Sequence, residues 1–299
     1  MLLLCGSIPD KDFPLSFGQV SLADEKHLEV NGLKFDRMQG TAVMISAALA
    51  ITTHFREEAP YVLIAGDHGS GEGSRAIFNY LIDHVAELKP DYITMHYCLP
   101  IMNMVKKVVE AVDKCEKRPF LIADAGAMYA AKGAGLAEKF DVFTPDPSEI
   151  AFLADPTATH PAYISKHLFD NNADTIPDQI KAAYANHSAA KVMVVKGKKD
   201  FVAKDGEIIT TIEEPDVPML EPIGGTGDTI TGLVSGLIAV GLEPDTAGIF
   251  ACRTNRTAGK LLNPTPATKA RELVDMFPRV CKEYYCSWSG LCYLPPDEA

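Results

Sequence analysis

Ile223-Gly224-Gly225-Thr226-Gly227-Asp228-Thr229-Ile230-Thr231-Gly232-Leu233 is the stretch whose reading decides the rest of the chain. Gly224, Gly225, Gly227 and an acid stand directly before an apolar run that reaches Val240. Glycine tolerates positive φ and lets a ligand approach bare backbone. The apolar spacing behind it predicts a helix that starts near Gly227. The unpaired N–H groups and the dipole of a helix start favour a bound anion. Gly225 to Asp228 therefore read as a phosphate or oxyanion cradle. Asp228 would repel a phosphate if it merely lined that cradle, so its presence points to chemistry on a substrate hydroxyl. A plain glycine turn, with Asp228 as an acidic first-turn residue, is the competing reading.

Outward from the cradle, the chain alternates strands and helices. Tyr61 to Ala65 is continuously apolar, as in a strand buried on both faces of a parallel sheet. Gly66-Asp67-His68-Gly69-Ser70-Gly71-Glu72-Gly73 follows, then an amphipathic helix from Ser74 to about Leu88. This loop lacks the lysine-bearing P-loop pattern and is no dinucleotide fingerprint. Asp67, His68 and Gly69 are candidate substrate contacts, against a solvated surface turn. The unit recurs with strands at 92–95, 120–123 and 140–143 and helices at 101–115 and 128–139. Such spacing suits βαβ units with right-handed crossovers. Ligands bind such sheets at the carboxyl ends of the strands, which selects the loops 66–73, 96–100, 124–127 and 144–149.

The flanks complete the pattern. Residues 1–36 predict an edge strand and a hairpin about Asn31-Gly32. Residues 40–55 predict a buried helix. A strand at 192–195 leads into Lys196-Gly197, and 201–211 reads as a hairpin turning at 204–207. Two closing helices are expected at 245–262 and 268–285.

Thr144-Pro145-Asp146-Pro147-Ser148-Glu149 is compact, and its prolines stop the strand. On a first helical turn Asp146 and Glu149 both face the strand-end cleft. Glu149 suits a Mg²⁺ site held through water, with helix capping by Asp146 as the competing reading. Lys196 reads either as a reach toward a nucleotide phosphate or as part of a solvated basic turn. His160, His167 and His187 show no ligand spacing and read as surface or packing residues.

Composition excludes several classes. The 299 residues are 47% hydrophobic and 23% charged, as in a globular protein with a substantial core. A formal net charge of −12 argues against a general nucleic-acid binder and against an anionic membrane surface. No run has transmembrane length, and the start through Cys5 is too short and lacks the basic residues of a signal peptide. Seven cysteines, an odd number, suit a reducing compartment, and the expected location is the cytoplasm. Cys281, Cys286 and Cys292 lack a Cys-x-x-Cys pair and read as packing beside Tyr284, Tyr285 and Trp288. No linker divides the chain, so one domain is expected over residues 1–299. The sequence leaves open whether copies associate into a homo-oligomer.

The chain resembles the ribokinase-like superfamily, and within it the ADP/ATP-dependent NAD(P)H-hydrate dehydratases, carbohydrate kinase-related proteins. Gly224-Gly225-Thr226-Gly227-Asp228 matches the anion-hole motif. Thr144-Pro145-Asp146-Pro147-Ser148-Glu149 resembles the dehydratase Thr-Pro-His-Pro-Gly-Glu, and its Asp146-x-x-Glu149 part the kinases' Asn-x-x-Glu magnesium motif. Ala123-Asp124-Ala125-Gly126-Ala127 resembles the Asp-Ala-Asp-Ala after the third strand, and Val194-Val195-Lys196-Gly197 the strand before the nucleotide site. The likeness covers about residues 60–262. It implies a Rossmann-like three-layer α/β/α sandwich with a mostly parallel sheet. It implies ATP or ADP at Gly224, Gly225, Thr226, Gly227, Lys196 and Gly197, Mg²⁺ at Glu149, Asp228 as catalytic base, and substrate near Asp67, His68, Gly69, Asp124 and Asp146. Three departures fall on the substrate side. Asp146 replaces the dehydratase histidine, His96-Tyr97-Cys98-Leu99-Pro100 replaces a Gly-Pro-Gly-Leu-Gly loop, and Gly126 replaces the second acid. The implied activity is repair of hydrated NAD(P)H by phosphorylation and elimination. A small-molecule kinase and a non-catalytic ligand-binding regulator are the alternatives.

Overall fold

A computed structural model of the chain describes residues 1–166 and 173–290; His167 and Cys292 lie outside the described residues. The chain runs through β1 (Leu2–Ile8), β2 (Ser16–Gln19), β3 (Ser21–Leu22), β4 (His27–Val30), β5 (Leu33–Asp36), α1 (Gly40–His54), β6 (Tyr61–Gly66), α2 (Glu72–Leu88), β7 (Tyr92–His96), α3 (Met102–Val112), β8 (Phe120–Ala123) and α4 (Ala125–Gly133). It continues through β9 (Val142–Phe143), α5 (Pro147–Ala154), α6 (Ile176–Ala185), β10 (Val192–Val195), β11 (Asp200–Lys204), β12 (Glu207–Ile212), α7 (Thr226–Ala239), α8 (Pro244–Leu262), α9 (Ala270–Val274) and α10 (Phe277–Ser289).

One sheet has the order β12-β11-β10-β9-β8-β7-β1-β6-β2. The strands from β10 across to β6 are parallel, and only β2, β11 and β12 run against their neighbours. Alternation along each strand divides the core between the two faces. Leu121, Ala123, Met193 and Val195 join the core with Phe78, Val108 and Phe152 from α2, α3 and α5. Ile122, Val192 and Val194 face α1, α7 and α8, through Val43, Leu233 and Phe250. The result is the expected three-layer α/β/α sandwich. Among the described residues no helix is long and apolar enough to cross a membrane.

β1 corrects the expectation of an edge strand. It is paired on both sides, with Leu3 opposite Tyr61 of β6 and Ile93 of β7. Leu2, Leu3, Leu4 and Cys5 are buried, which suits a strand covered on both faces. The edge role belongs to β2, antiparallel on β6. The hairpin about Asn31-Gly32 is present between β4 and β5, with positive φ at both turn residues. The helix expected over 268–285 is two, α9 and α10. Pro278 lies in the first turn of α10, where its missing N–H costs nothing. The helix expected over 128–139 starts earlier, at Ala125, because Asp124 caps it, and a 3₁₀ turn at Ala137–Lys139 follows.

α1 and α7 lie against each other along a seam of small residues. A Cβ on Gly232 would fall 2.1 Å from the Met44 carbonyl oxygen, and one on Gly236 would fall 2.9 Å from Ile51 Cβ. Only bare backbone permits this approach. The seam brings the start of α7 beside the start of α1.

Candidate active site

The strand ends and the start of α7 enclose a cleft of about 760 Å³, lined by Asp124, Asp146, Glu149, Lys196, Gly197 and all of Gly224 to Asp228. α7 begins at Thr226, with Gly225 as its cap at φ 98°. A Cβ there would meet Gln39 Cα and Val43 Cγ1 at 3.1 Å, so glycine is required twice over. The Thr229 amide donates to the Gly225 carbonyl at 3.1 Å, closing the first turn. The earlier amides of a helix have no partner within it; the Thr226 amide reaches the Ile223 carbonyl at 3.5 Å, and Gly225, Thr226, Gly227 and Asp228 all line the cleft. Asn255 pins the turn by donating to the Thr226 carbonyl at 3.1 Å while accepting from Thr229 Oγ1 at 2.7 Å.

Asp228 is held from two sides. Its Oδ2 accepts the Gly40 amide at 2.8 Å, at the N-terminus of α1, and its Oδ1 lies 3.1 Å from His96 Nε2. The dipole of α1 adds to its anionic character. Burial alone would raise this carboxyl. The hydrogen bond and charge of His96, with the charge of Lys196, outweigh burial and hold it below the ordinary carboxylate range.

His96 ends β7 and is fully buried. Its Nε2 also lies 3.4 Å from Asp124 Oδ2, and its Nδ1 is 3.2 Å from Thr41 Oγ1. A Cβ on Gly6 would fall 2.6 Å from Thr41 Oγ1, so that glycine makes room for the threonine. Burial disfavours the imidazolium, but hydrogen bonds and charge from Asp124 and Asp228 prevail and push it up to about 9. Lys196 is buried, 2.5 Å from Asp124 Oδ2, so it is no part of a solvated turn. Burial opposes the Asp124 charge as well, yet Lys196 and His96 hold that carboxyl far below its usual range. The ligating atoms of His96, Asp124 and Asp228 lie within 4.8 Å of one another, a grouping that could hold a metal ion. The imidazolium and the Lys196 ammonium already balance the two acids, so we assign the cluster to an internal ion-pair network.

Glu149 and Asp146 form a reciprocal cap on α5. Asp146 Oδ1 accepts the Glu149 amide at 2.8 Å, and Glu149 Oε2 accepts the Asp146 amide at 2.7 Å. Tyr129 donates to Glu149 Oε1 at 3.0 Å. Both acids also line the cleft, so capping and cleft-facing readings coexist. Burial, then the charges of Asp146 and Asp124, push the Glu149 carboxyl up to about 8. Lys196 offsets this only in part, and a divalent cation fits a buried acid with acidic neighbours on a cleft wall.

Other candidate residues are placed differently. Asp67, His68 and Gly69 are not among the residues lining the cleft. Asp67 instead accepts the amides of Gly69, Gly71 and Ser74 and the Ser74 hydroxyl at 2.9–3.0 Å, organising its own loop. Arg256, which sequence reasoning missed, clamps the Gly197 loop. It contacts Asp200 at 2.6 Å and donates to the carbonyls of Glu213, Gly197 and Lys198. His96 was also missed as a site residue, although its position at a strand's carboxyl end was the signal.

Fold and site together define a ribokinase-like α/β enzyme, with an acid fixed at the glycine-rich start of a helix above parallel strand ends. The family profile described as NAD(P)H-hydrate dehydratase matches residues 98–279, and the chain belongs to that family. It is 37% identical over 236 residues to an uncharacterized protein of Methanocaldococcus jannaschii, covering 79% of this chain and 97% of that one. It is 30% identical over 252 residues to the ADP-dependent (S)-NAD(P)H-hydrate dehydratase of Xanthomonas campestris pv. campestris, covering 82% and 76%. The fold of the ADP/ATP-dependent NAD(P)H-hydrate dehydratase from Bacillus subtilis superposes with a TM-score of 0.54 at 20% identity, covering 95% of this chain and 91% of that one.

Proposed function

We propose that the protein repairs hydrated NAD(P)H, using ATP or ADP with Mg²⁺ to phosphorylate the ring hydroxyl and then eliminate it as phosphate. The observation that carries this reading is Asp228, kept ionised beside the amides that open α7. The nucleotide's terminal phosphoryl group lies against Gly225 to Gly227, whose N–H groups take up charge on the transferring oxygens. Asp228 accepts the hydroxyl proton as that oxygen attacks the terminal phosphorus, whose bond to the bridging oxygen breaks to release ADP from ATP or AMP from ADP. Phosphate then leaves with its bonding electrons while a ring carbon gives up a proton, restoring the double bond of the reduced nicotinamide. Glu149 would hold Mg²⁺ through water, and the ion would supply charge neutralisation on the phosphates. Lys196 and Gly197 close the nucleotide side, and Asp124 and Asp146 the substrate side. Six described cysteines are free thiols, which supports a cytoplasmic place of action.

A kinase acting on another alcohol is the second reading. It is favoured by the bulky His96 to Pro100 stretch where the dehydratase pattern has glycines, and by Asp146 in place of histidine. Incubation with ATP, Mg²⁺ and hydrated NADH separates the two. Recovery of reduced-nicotinamide absorbance supports repair. No recovery, with a stable phosphate ester formed from a sugar or vitamin alcohol, supports a kinase. Asp228→Asn should cut turnover by about a hundredfold or more while nucleotide still binds. Unchanged turnover removes Asp228 as the base.

A further inference from the structure

We infer that His96 is a positioning residue for Asp228: wedged between Asp124 and Asp228, its ring keeps both acids ionised side by side and turns Asp228 toward the acceptor. The inference rests on the reading of Asp228 as base. Two carboxylates this close in a buried place would otherwise share one proton, and a protonated Asp228 could not accept another. One N–H serves both, since His96 Nε2 lies 3.1 Å from Asp228 Oδ1 and 3.4 Å from Asp124 Oδ2. His96 has no exposed surface, so it touches no substrate and acts through its neighbours.

The charged and titratable groups around the ring come from every packed element. Asp228 comes from α7, Asp124 from the end of β8, and Lys196 from the end of β10. Tyr97 stands edge-on with ring centroids 4.4 Å apart, and Thr41 of α1 closes the far side. Two acids and two bases leave the cluster neutral. Lys196 contacts Asp124 and pairs chiefly with that acid, so the imidazolium is the cation that Asp228 relies on.

The test has two arms. Histidine ring NMR, without substrate, follows the resonance that vanishes in His96→Asn. The wild-type resonance should stay in its protonated position through neutral pH and titrate at least one pH unit lower in Asp228→Asn. A resonance with ordinary histidine titration, indifferent to Asp228→Asn, overturns the inference. The second arm is the pH profile of turnover with hydrated NADH, ATP and Mg²⁺. His96→Asn should move the acid limb up by about one to two pH units, with KM for ATP within about twofold of wild type. Adding Asp124→Asn to His96→Asn should bring the limb back, because the repelling charge is gone. A uniform loss of kcat at all pH values overturns the positioning role. Full turnover by Asp228→Asn instead removes the base assignment, and this inference falls with it.

Discussion

Replacing Arg256 with Met would isolate the buried clamp on the nucleotide side of the cleft. Arg256 and Asp200 are 7% and 2% exposed, and their ion pair measures 2.6 Å. Asp200 also accepts the Gly197 amide at 2.9 Å, so the pair anchors a loop that lines the cleft. Methionine keeps most of the volume but removes the charge and every donor. An uncompensated buried carboxylate, with carbonyls left unpaired, costs about 3–5 kcal/mol. Burial already lifts the Asp200 carboxyl above its ordinary range despite Arg256. Without the arginine it should rise further. A raised carboxyl is a liability that appears as pH climbs above the unfolded pKa, so the variant should lose most near neutral pH and least in acid. Asp200→Asn in the same background should restore about 1–2 kcal/mol. Urea denaturation of the wild type, both singles and the double measures the coupling. Arg256→Met within about 0.5 kcal/mol of wild type at neutral pH, or no recovery in the double, refutes the buried clamp.

Gly232→Ala should cost about 1–3 kcal/mol, because the added Cβ would fall 2.1 Å from the Met44 carbonyl and force α1 from α7. An unchanged melting temperature would contradict the packing described. Asp67→Asn should loosen the 66–73 loop. Burial opposes the Asp67 charge, but the amides of Ser74 and Gly71 lead in holding the carboxyl below its usual range. Its contribution is therefore present above the unfolded pKa and lost as pH falls through the lower folded value. Urea midpoints of wild type and Asp67→Asn should differ near neutral pH and converge in acid; a gap that widens in acid reverses the sign. Glu149→Gln should raise the Mg²⁺ concentration for half-maximal turnover by about tenfold, and an unchanged requirement places the ion elsewhere.

The sheet was legible because its strands carry their own signal. Tyr61 to Ala65 and Val192 to Val195 are apolar on both faces and could be little else. The order of strands was less legible, since β1 owes its central place to two pairings far along the chain. Local pattern carries no record of partners that distant. The glycines of the cradle were readable because a positive φ and a close approach both exclude side chains. His96 was not, because one histidine after an apolar strand takes its meaning from Asp124 and Asp228. The same holds for Lys196, whose two readings, a reach toward a nucleotide phosphate or a solvated turn, take no account of Asp124, 2.5 Å from it in the fold. Asp67 shows the converse: an acid among glycines suggests a ligand contact, and only the folded loop reveals that it also ties its own amides.

The glycine seam between α1 and α7 also restricts how the molecule can move. Helices meshed backbone to side chain cannot slide apart without leaving voids, and interiors this dense resist such distortion. Asp228 and the Gly40 amide therefore travel as one rigid floor. Entry and exit of ligands fall to the coverings hung around that floor, such as the 213–222 segment that borders the cleft. Hydrogen exchange should find the amides of the seam among the slowest in the protein and those of that border among the fastest.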